Sequence, residues 1–443
     1  MSDGEPDDRT EGGTRVGVVG AGVTGLALTH YLREQGADPV TFEATDRPGG
    51  VVQSKVVDGH VLEQGPQRVR LSGPLADLVA DLGLVDAAVA ADADLPLYVY
   101  ADGRLRQVPL SLQTFLTTDL LSWRGKLRLL KEPLTDAGDP RETAAELFTR
   151  KFGREAYENV IGPLFGGIFG SDPARMPAAY ALENLIRLES REGSLLKPAV
   201  QRLLGGESSP TVAFEDGNER LAEALYEANS ERIRLERPVE TVRDAGEGFE
   251  LQADGESVAV DEVVVTAPAD AAADVLERIE PDAARLRELT YNPLAMVYLR
   301  ATHGREGLGY RVRYGEPLRT LGVSWNGPAF GHGERPGADG TRTGVHTCFL
   351  GGMPDREVLE QSDDDLARIA REEFEAVMGT SAAVIHVARP EWGFPAYDES
   401  WTALDGLSTP GGVHLATNYT ARMGVPARVR EAKRLADRLA DGE

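Results

Sequence analysis

Three glycines near the amino end of the chain are the first candidates for a functional site. Gly20, Gly22 and Gly25 follow the spacing G-x-G-x-x-G, between an apolar strand predicted at 16–19 and an amphipathic helix. The first glycine permits a tight turn, the second lets a pyrophosphate approach the backbone, and the third lets the helix pack on the strand. The pyrophosphate then lies at the helix N-terminus. The pattern predicts a dinucleotide site formed by Gly20, Ala21, Gly22, Val23, Thr24 and Gly25.

Glu43 ends a second strand, predicted at 40–42, where such a unit carries an acid. A carboxylate there accepts hydrogen bonds from the adenosine ribose hydroxyls and repels a 2′-phosphate, so the pattern disfavours NADP. Glycine turns of this spacing also recur for packing alone. The flanking strand, helix, second strand and acid favour the nucleotide interpretation over a packing turn.

The residues after Glu43 narrow the choice of nucleotide. The segment 43–50 reads E-x(3)-R-x-G-G and resembles the glutathione-reductase-like FAD proteins, especially the flavin amine oxidase superfamily. The resemblance implies that Arg47, Gly49 and Gly50 cover the FAD diphosphate. The alternative is an ordinary surface turn that contains an arginine, and the position directly after Glu43 disfavours it.

Further motifs resemble the protoporphyrinogen and coproporphyrinogen oxidase family. The segment 62–68 contains E-x-G-P, which in that family passes the flavin, and it implies contacts from Gly65, Pro66, Gln67 and Arg68. Residues 163–173 and 189–195 resemble G-x-x-x-G-D-P followed by E-x-x-x-G-S-L, a pair that is distinctive among amine oxidases. Residues 389–397 resemble the family's W-x-x-x-P-x-Y segment, with two residues in place of three between the tryptophan and the proline. Each could be a loop with turn residues, but their shared order favours the family.

The carboxyl end carries a segment that closes an FAD site in this family. Residues 414–426 resemble N-S-Y-x-G-V-G-V-P, and a helix that starts near Val425 would point its N–H groups and positive dipole end at the flavin N1 and C2 carbonyl. Val239 is the expected backbone contact to the adenine, although it could equally be sheet core. This resemblance adds Asn418, Met423, Gly424 and Val425 to the expected FAD contacts.

Two departures from the family concern the substrate and the closing loop. The family often has an arginine, thought to pair with a substrate propionate, where this chain has Leu97. Arg68, Arg70 or Arg187 could supply the positive charge instead, although surface solvation would explain each alone. Gly170 lies in the helical motif and is a candidate substrate contact with Arg70 and Leu97. The closing loop is one residue longer, at Ala421–Arg422.

Composition limits the classes of partner. The 443 residues carry 47 basic and 72 acidic side chains, a net charge of −25 that disfavours nucleic acid. Because the acids are scattered, we interpret them as a solvated surface suited to a salt-rich, halophilic cytoplasm; a specific acidic function is the alternative. One cysteine excludes an internal disulfide, and the seven histidines lack metal-ligand spacing. No signal peptide or apolar run of 18 residues is present, so we expect a cytoplasmic protein, in contact with a membrane at most peripherally.

The pattern of strands and helices predicts an α/β fold with a Rossmann-like FAD-binding domain of the glutathione-reductase and amine-oxidase type. Insertions divide that domain into three stretches, which matches the architecture of flavin amine oxidases. We expect a disordered acidic tail at 1–14, an FAD-binding domain at 15–84, 205–285 and 387–443, a mixed-sheet substrate domain at 85–110 and 286–386, and a helical insertion at 111–204.

The resemblance implies FAD-dependent oxidation of a porphyrinogen, protoporphyrinogen IX or coproporphyrinogen III, to the porphyrin in heme biosynthesis. Flavin N5 accepts hydride in this reaction, and no catalytic side chain is predicted. No second fingerprint for NAD(P)H is present, so oxygen or a quinone is the expected electron acceptor, and the FAD is expected to be non-covalent. The alternatives are another superfamily member, such as an amine oxidase or carotenoid desaturase, or a non-catalytic flavoprotein that binds a tetrapyrrole. The sequence predicts no oligomeric state.

Overall fold

The structure is a computed structural model that describes residues 13–203, 209–330, 340–390, 393–420 and 423–441. Most of the predicted acidic tail at 1–14 therefore lies outside the described residues, as do Trp392 of the W-x-x-x-P-x-Y segment and the Ala421–Arg422 pair.

The strands, in chain order, are β1 (Arg15–Val19), β2 (Asp38–Phe42), β3 (Ser54–Val57), β4 (His60–Glu63), β5 (Val69–Arg70), β6 (Ala88–Ala90), β7 (Leu97–Ala101), β8 (Arg104–Gln107), β9 (Thr211–Phe214), β10 (Ile233–Arg234), β11 (Val239–Gly246), β12 (Gly248–Ala253), β13 (Glu256–Val260), β14 (Glu262–Val265), β15 (Tyr291–Asn292), β16 (Leu294–His303), β17 (Gly309–Val312), β18 (Thr320–Ser324), β19 (Arg342–Gly351), β20 (Ala382–Ala388), β21 (Phe394–Pro395) and β22 (Val413–Leu415).

The α-helices are α1 (Val23–Glu34), α2 (Pro74–Asp81), α3 (Leu112–Thr117), α4 (Trp123–Leu129), α5 (Ala144–Phe152), α6 (Arg154–Ala156), α7 (Gly162–Phe169), α8 (Ala178–Ala181), α9 (Glu183–Glu192), α10 (Leu196–Leu203), α11 (Glu219–Asn229), α12 (Ala269–Leu276), α13 (Asn326–Phe330), α14 (Asp363–Met378) and α15 (Val425–Asp441). A π-helical turn at Tyr157–Ile161 joins α6 to α7.

A five-stranded parallel sheet, ordered β10-β2-β1-β14-β22, forms the nucleotide half of the molecule. Its strands come from three separated stretches of chain, so β14 and β22 return to the sheet as the sequence predicts. Val16 and Val18 of β1 face the layer that contains α1 and α15, while Val19 faces the other core. Gly17 faces the β11–β13 sheet, because a Cβ there would lie 2.3 Å from Leu251 Cδ1. This layered α/β arrangement confirms the predicted fold class.

Two neighbouring strands belong to different sheets. β10 joins the nucleotide sheet, whereas β11 joins an antiparallel sheet with β12 and β13. Glu236 has a φ of 53°, in the left-handed region, and Pro238 follows. The chain therefore turns between β10 and β11.

A seven-stranded sheet, ordered β20-β16-β19-β18-β17-β7-β8, forms the other half of the molecule, which we call the substrate half because the sequence predicts the substrate domain there. Neighbouring strands are antiparallel except β17 and β7, which are parallel. The acidic helix α14 covers one face through Leu366, Ala370 and Phe374. The opposite face, which we call the inner face, carries Met296, Tyr298, Arg311 and Phe349. It faces the nucleotide half, since Tyr298 donates a 2.7 Å hydrogen bond to Glu63 O.

Candidate functional site

The glycine turn after β1 is built from the backbone. Gly20 has a φ of 102° and donates its N–H to Phe42 O at 2.7 Å, which ties the turn to β2. A Cβ at Gly25 would lie 2.0 Å from Gly20 O, so helix α1 can start here only with glycine. A Cβ at Gly22 would meet nothing within 4 Å, and no described side chain caps α1. The turn therefore leaves open space in front of the helix N-terminus, with Ala21, Val23 and Thr24 buried behind it.

Glu43 lies at the end of β2, beside the turn. Its Oε2 accepts the Ala21 N–H at 2.8 Å, and its Oε1 accepts the N–H and the hydroxyl of Thr45 at 3.0 and 2.9 Å. The carboxylate is half-buried, and two oxygens offer about four acceptor positions. Glu43 is thus held in place by the protein and keeps capacity to accept ribose hydroxyls.

The loop that contains Arg47, Gly49 and Gly50 packs directly on the glycine turn. Gly49 donates to Ala21 O at 2.8 Å, and a Cβ at Gly50 would lie 3.2 Å from Gly22 Cα. Both loop glycines have positive φ, at 101° and 59°. Arg47 is exposed. The structure brings the two predicted diphosphate segments together, with Arg47 at the surface of the cradle that they form.

The E-x-G-P segment lies next to this loop. A Cβ at Gly65 would lie 1.9 Å from Val51 O, so only glycine fits there. Gln67 donates from Nε2 to Gly65 O at 3.0 Å and accepts a 2.7 Å bond from Asn326 Nδ2 at its Oε1. Asn218 Nδ2 donates to Pro66 O at 2.7 Å. The segment is therefore fixed by side chains from both halves of the molecule.

Sequence reasoning missed Asn218 and Asn326, because neither belongs to a motif and both are brought in by distant elements. Glu63 of the same segment is buried, accepts the Ser54 hydroxyl at 2.8 Å and the Asn218 N–H at 2.9 Å, and precedes Gln64 in the loop. Burial raises the pKa of Glu63 to about 7, against the lowering effect of these hydrogen bonds. An Asn before a helical pattern is the one signal that could have identified Asn218.

The closing segment lies between β22 and α15. Asn418 is half-buried, Met423 packs against the core shared with β14, and α15 begins at Val425 as predicted. Gly424 has a φ of 98°, and a Cβ there would meet nothing within 4 Å. Val425 packs in the same core as Leu26 of α1. The starts of α1 and α15 thus belong to one layer, each preceded by a glycine that borders open space.

Val239 begins β11 close to Glu43. The chain just before it donates a 2.8 Å bond from Arg237 N to Glu43 O, and Val239 itself is half-buried against the second core. Its position is compatible with both the adenine contact and the sheet-core interpretation of the sequence.

These residues fit a flavin dinucleotide. Three features of the nucleotide half suit such a cofactor: the acid Glu43, the open space at Gly22 and Gly424, and the fixed Gly65–Pro66 segment. The N-termini of α1 and α15 supply partial positive charge, which suits a diphosphate and an electron-rich flavin ring. The chain thus offers what FAD requires: backbone N–H donors, an acid for the ribose, and open space at two glycines.

The predicted substrate residues lie in three different places. Arg70 is exposed at the end of β5, and Arg187 is exposed and paired with Glu183 on α9. Leu97 begins β7 and, like Leu164 of α7, packs against the apolar cluster around Val99. Gly170 ends α7 with a φ of 58°, and its carbonyl accepts the Met353 N–H at 2.7 Å. Leu97 and Gly170 therefore both lie where the helical insertion meets the seven-stranded sheet, and Arg70 and Arg187 do not.

The E-x-x-x-G-S-L segment forms a buried ionic cluster within the helical insertion. Lys151 pairs with Glu189 and lies 3.7 Å from Glu132 Oε1, and all three side chains are almost fully buried. Ser194 donates its hydroxyl to Glu132, whose carboxylate also accepts the N–H groups of residues 195 and 196. Glu189 accepts the Gly138 N–H at 2.8 Å. The motif therefore ties α5, α9 and the start of α10 together.

The described residues contain neither a metal cluster nor a membrane-spanning helix. In the described ranges no cluster of three or more histidine, cysteine, aspartate or glutamate side chains could hold a metal ion. Likewise, of the helices that the structure describes, none has the length and apolarity that a bilayer crossing needs.

Comparison with known proteins agrees with this geometry. The family described as flavin containing amine oxidoreductase matches residues 23–440. Protoporphyrinogen oxidase 2 of Arabidopsis thaliana is 25% identical and covers 96% of this chain and 93% of its own. Coproporphyrinogen III oxidase of Bacillus subtilis is 25% identical over 83% of this chain and 84% of its own. A crystal structure from Exiguobacterium sp. 255-15 superposes with a TM-score of 0.74 at 23% identity, covering 98% of this chain and all of that one. The chain belongs to the flavin containing amine oxidoreductase family and is an FAD-dependent oxidoreductase.

Proposed function

We propose that this protein oxidises a porphyrinogen, protoporphyrinogen IX or coproporphyrinogen III, to the porphyrin in heme biosynthesis. The observation that carries the proposal is the E-x-x-x-G-S-L segment. It is a built unit, with Glu189 and Ser194 locked to Lys151 and Glu132, and not a loop of turn residues. In the family resemblance, that segment together with residues 163–173 is the pair that is distinctive among amine oxidases. Similarity to both kinds of porphyrinogen oxidase over most of the chain supports the same choice.

The protein's part in such a reaction is to position and to polarise. A bound flavin supplies the hydride acceptor. The Gly65–Pro66 segment, held by Asn218 and Gln67, fixes one side of the site. The N-terminus of α15 stabilises negative charge that develops next to it. Leu97 and, from the insertion, Leu164 pack against one apolar cluster, which supplies an apolar wall on the substrate side.

We propose FAD held without a covalent bond, with oxygen or a quinone as electron acceptor. Cys348 is the one cysteine of the sequence, and it is fully buried in the core under α14, where burial raises the pKa of its thiol. It is therefore not placed to attach a flavin. Acid precipitation should release all the flavin as FAD; yellow colour that stays with the pellet would contradict this proposal.

The test of the substrate is anaerobic reduction of the bound flavin. Protoporphyrinogen IX and coproporphyrinogen III, added separately, should bleach the yellow colour, and the faster of the two identifies the preferred substrate. Bleaching by an amine and not by either porphyrinogen would assign the protein to the amine oxidases, an alternative that Leu97 supports because the family's propionate-pairing arginine is missing there. Binding of a porphyrin without bleaching would indicate a carrier.

We also propose peripheral contact with an anionic lipid surface. Seven of the large apolar side chains that are exposed in the described structure lie within 110–134, on and around α3 and α4, including Trp123 at 69% and Leu134 at 87%. The neighbouring Arg124 and Lys131 are exposed and basic, although the protein as a whole carries −25. An apolar face with basic residues suits anionic headgroups.

Vesicle sedimentation tests this contact. The protein should sediment with phosphatidylglycerol vesicles more than with phosphatidylcholine vesicles, and Trp123→Ser with Leu127→Ser should reduce that fraction. If the variant and the wild type sediment equally, the apolar face does not bind lipid. The same conclusion follows if the wild type is a dimer that the two substitutions dissociate.

A further inference from the structure

Two arginines lie deep in the molecule without an acidic partner. Arg68 follows the Gly65–Pro66 segment, and Arg311 lies in β17. Burial lowers the pKa of each guanidinium to about 10, and the charge of Arg311 adds to this effect on Arg68. Across the described residues no carboxylate pairs with either one, yet both keep some accessible surface. Charges removed from water are normally paired, so this arrangement indicates an anion that arrives from outside the chain.

The register of β7 and β17 relates Arg311 to Leu97. The two strands are parallel, with Leu97 opposite Gly309 and Val99 opposite Arg311. Residues in register on neighbouring strands project from the same face, and the strands are about 4.8 Å apart. Arg311 therefore shares a face with Leu97, one strand away and two residues further along. The positive charge that position 97 lacks is supplied from the adjacent strand.

Two glycines make a slot for the Arg311 side chain. A Cβ at Gly322, opposite Arg311 on β18, would lie 2.9 Å from Arg311 Cδ, and a Cβ at Gly167 of α7 would lie 2.8 Å from the same atom. The guanidinium carbon lies 5.9 Å from the ring centre of Phe349, on the inner face. The slot fixes the stem of Arg311 between the sheet and the insertion.

Arg68 is fixed from the other side. Its Nη1 donates to Leu308 O at 3.0 Å, directly before β17, and the residue follows Gln67 of the segment that lines the flavin surface. Both guanidinium groups are thus held near the join between the flavin surface and the inner face. Each planar guanidinium keeps further N–H donors that can bind a carboxylate in a bidentate manner.

We infer that Arg311 and Arg68 together bind one carboxylate of an anionic substrate beside the flavin segment. The inference rests on the proposed function, because a porphyrinogen supplies the propionate carboxylates. Both residues are positioning and specificity residues here, since a carboxylate distant from the reacting carbon fixes the orientation of the macrocycle. A cationic amine would meet two like charges at this place.

The experiment titrates the FAD-loaded protein with coproporphyrin III and with its tetramethyl ester, which has the same ring without the carboxylates. Arg311→Met and Arg68→Met keep an apolar stem and should weaken binding of the acid about tenfold to a hundredfold. Their affinity for the ester should not change. Arg311→Lys should recover part of the loss. The matched control is Arg104→Met, because Arg104 is exposed and pairs with Asp119 on the same sheet.

The outcomes separate this inference from the proposed function. If both Met variants, with wild-type melting temperatures, bind the acid as tightly as the wild type does, the arginine pair does not hold a carboxylate, even when porphyrinogen still bleaches the flavin. If they lose FAD affinity instead, the pair serves the cofactor and the inference is wrong. If the wild-type protein neither binds coproporphyrin nor is bleached by porphyrinogen, the proposed function and the inference both fail.

Discussion

The nucleotide half and the substrate half of this molecule are built from different kinds of atoms. Around Gly20 to Gly25 and Gly49 to Gly50 the contacts are backbone N–H to carbonyl bonds and positions where no Cβ fits. In the substrate half and the insertion, the comparable positions hold buried side chains, such as Lys151 with Glu189 and the unpaired Arg311. The nucleotide half presents main-chain groups, and the substrate half and insertion present charges removed from water.

This difference explains what each half tolerates. A site built from backbone depends on local conformation, so a Cβ added at one glycine is enough to change its shape. A side-chain network in low dielectric depends on every partner being present, so removing one member leaves an uncompensated charge. Five experiments test this difference between the two halves.

The largest effect is expected in the insertion. Lys151→Met leaves two carboxylates buried without a cation and should cost about 3–5 kcal/mol of unfolding free energy. Replacing all three members, Lys151→Met with Glu189→Gln and Glu132→Gln, should recover most of that loss. Removing the exposed pair on α6 by Arg154→Met should leave stability unchanged. Urea unfolding measures all three, and a Lys151→Met variant as stable as Arg154→Met would show that the cluster is not an ionic unit.

The second effect is the acid sensitivity of the substrate sheet. His303 and His346 are buried beside Trp325, and burial lowers their pKa values to about 4 and about 3. The unfolded chain takes up these protons near pH 6.5 and the folded chain does not, so stability falls as pH drops from about 6.5 towards 4. Each histidine contributes on the order of 3 kcal/mol across that window.

The variant His303→Phe with His346→Phe isolates this contribution. Its unfolding free energy should lose less than that of the wild type between pH 7 and pH 4.5, because the carboxylates titrate equally in both. Parallel losses in the two proteins would indicate that the histidines accept protons while folded.

Local elements of both halves were predictable from the sequence, and long-range contacts were not. The strand expected at 16–19 is β1, and the helix expected to start near Val425 is α15, because apolar periodicity lies within the segment itself. The position of Arg311 on the same face as Leu97 follows from the parallel register of β7 and β17, which are more than 200 residues apart in the chain. Lys151 and Glu189 meet across 38 residues. A pattern read in a short window of sequence cannot reveal contacts between residues that are this far apart in the chain.

The third effect concerns the acid of the cradle. Glu43→Ala should weaken FAD binding by about 1.5–3 kcal/mol, because it removes charge-assisted bonds to the ribose. Since Glu43 also accepts the N–H groups of Ala21 and Thr45, Glu43→Gln is the matched variant that keeps an acceptor for them. FAD titration of both folded apoproteins measures the loss. An unchanged affinity in Glu43→Ala would contradict the ribose contact.

The fourth effect separates two glycines of one turn. Gly25→Ala places a Cβ against Gly20 O and should destabilise the apoprotein by about 1–3 kcal/mol. Gly22→Ala meets no protein atom within 4 Å, so it should leave apoprotein stability unchanged and weaken FAD binding. Thermal unfolding without FAD, followed by FAD titration, checks both. If Gly22→Ala binds FAD normally, the open space in front of α1 is not the diphosphate site.

The smallest effect per charge is expected from salt, and it acts on the surface of both halves. With 72 acidic and 47 basic side chains, self-repulsion opposes compaction in dilute buffer, although each exposed pair is worth about 1 kcal/mol or less. The Debye length falls from about 10 Å at 0.1 M to about 3 Å at 1 M, so melting temperature and FAD retention should rise across that range. Screening scarcely reaches buried charges, so the loss caused by Lys151→Met should be the same at both salt concentrations. A melting temperature that stays flat or falls would show that the acidic surface is not a salt adaptation. A Lys151→Met penalty that shrinks with salt would show that solvent enters the cluster, and the contrast between an exposed acidic surface and a dry ionic interior would no longer hold.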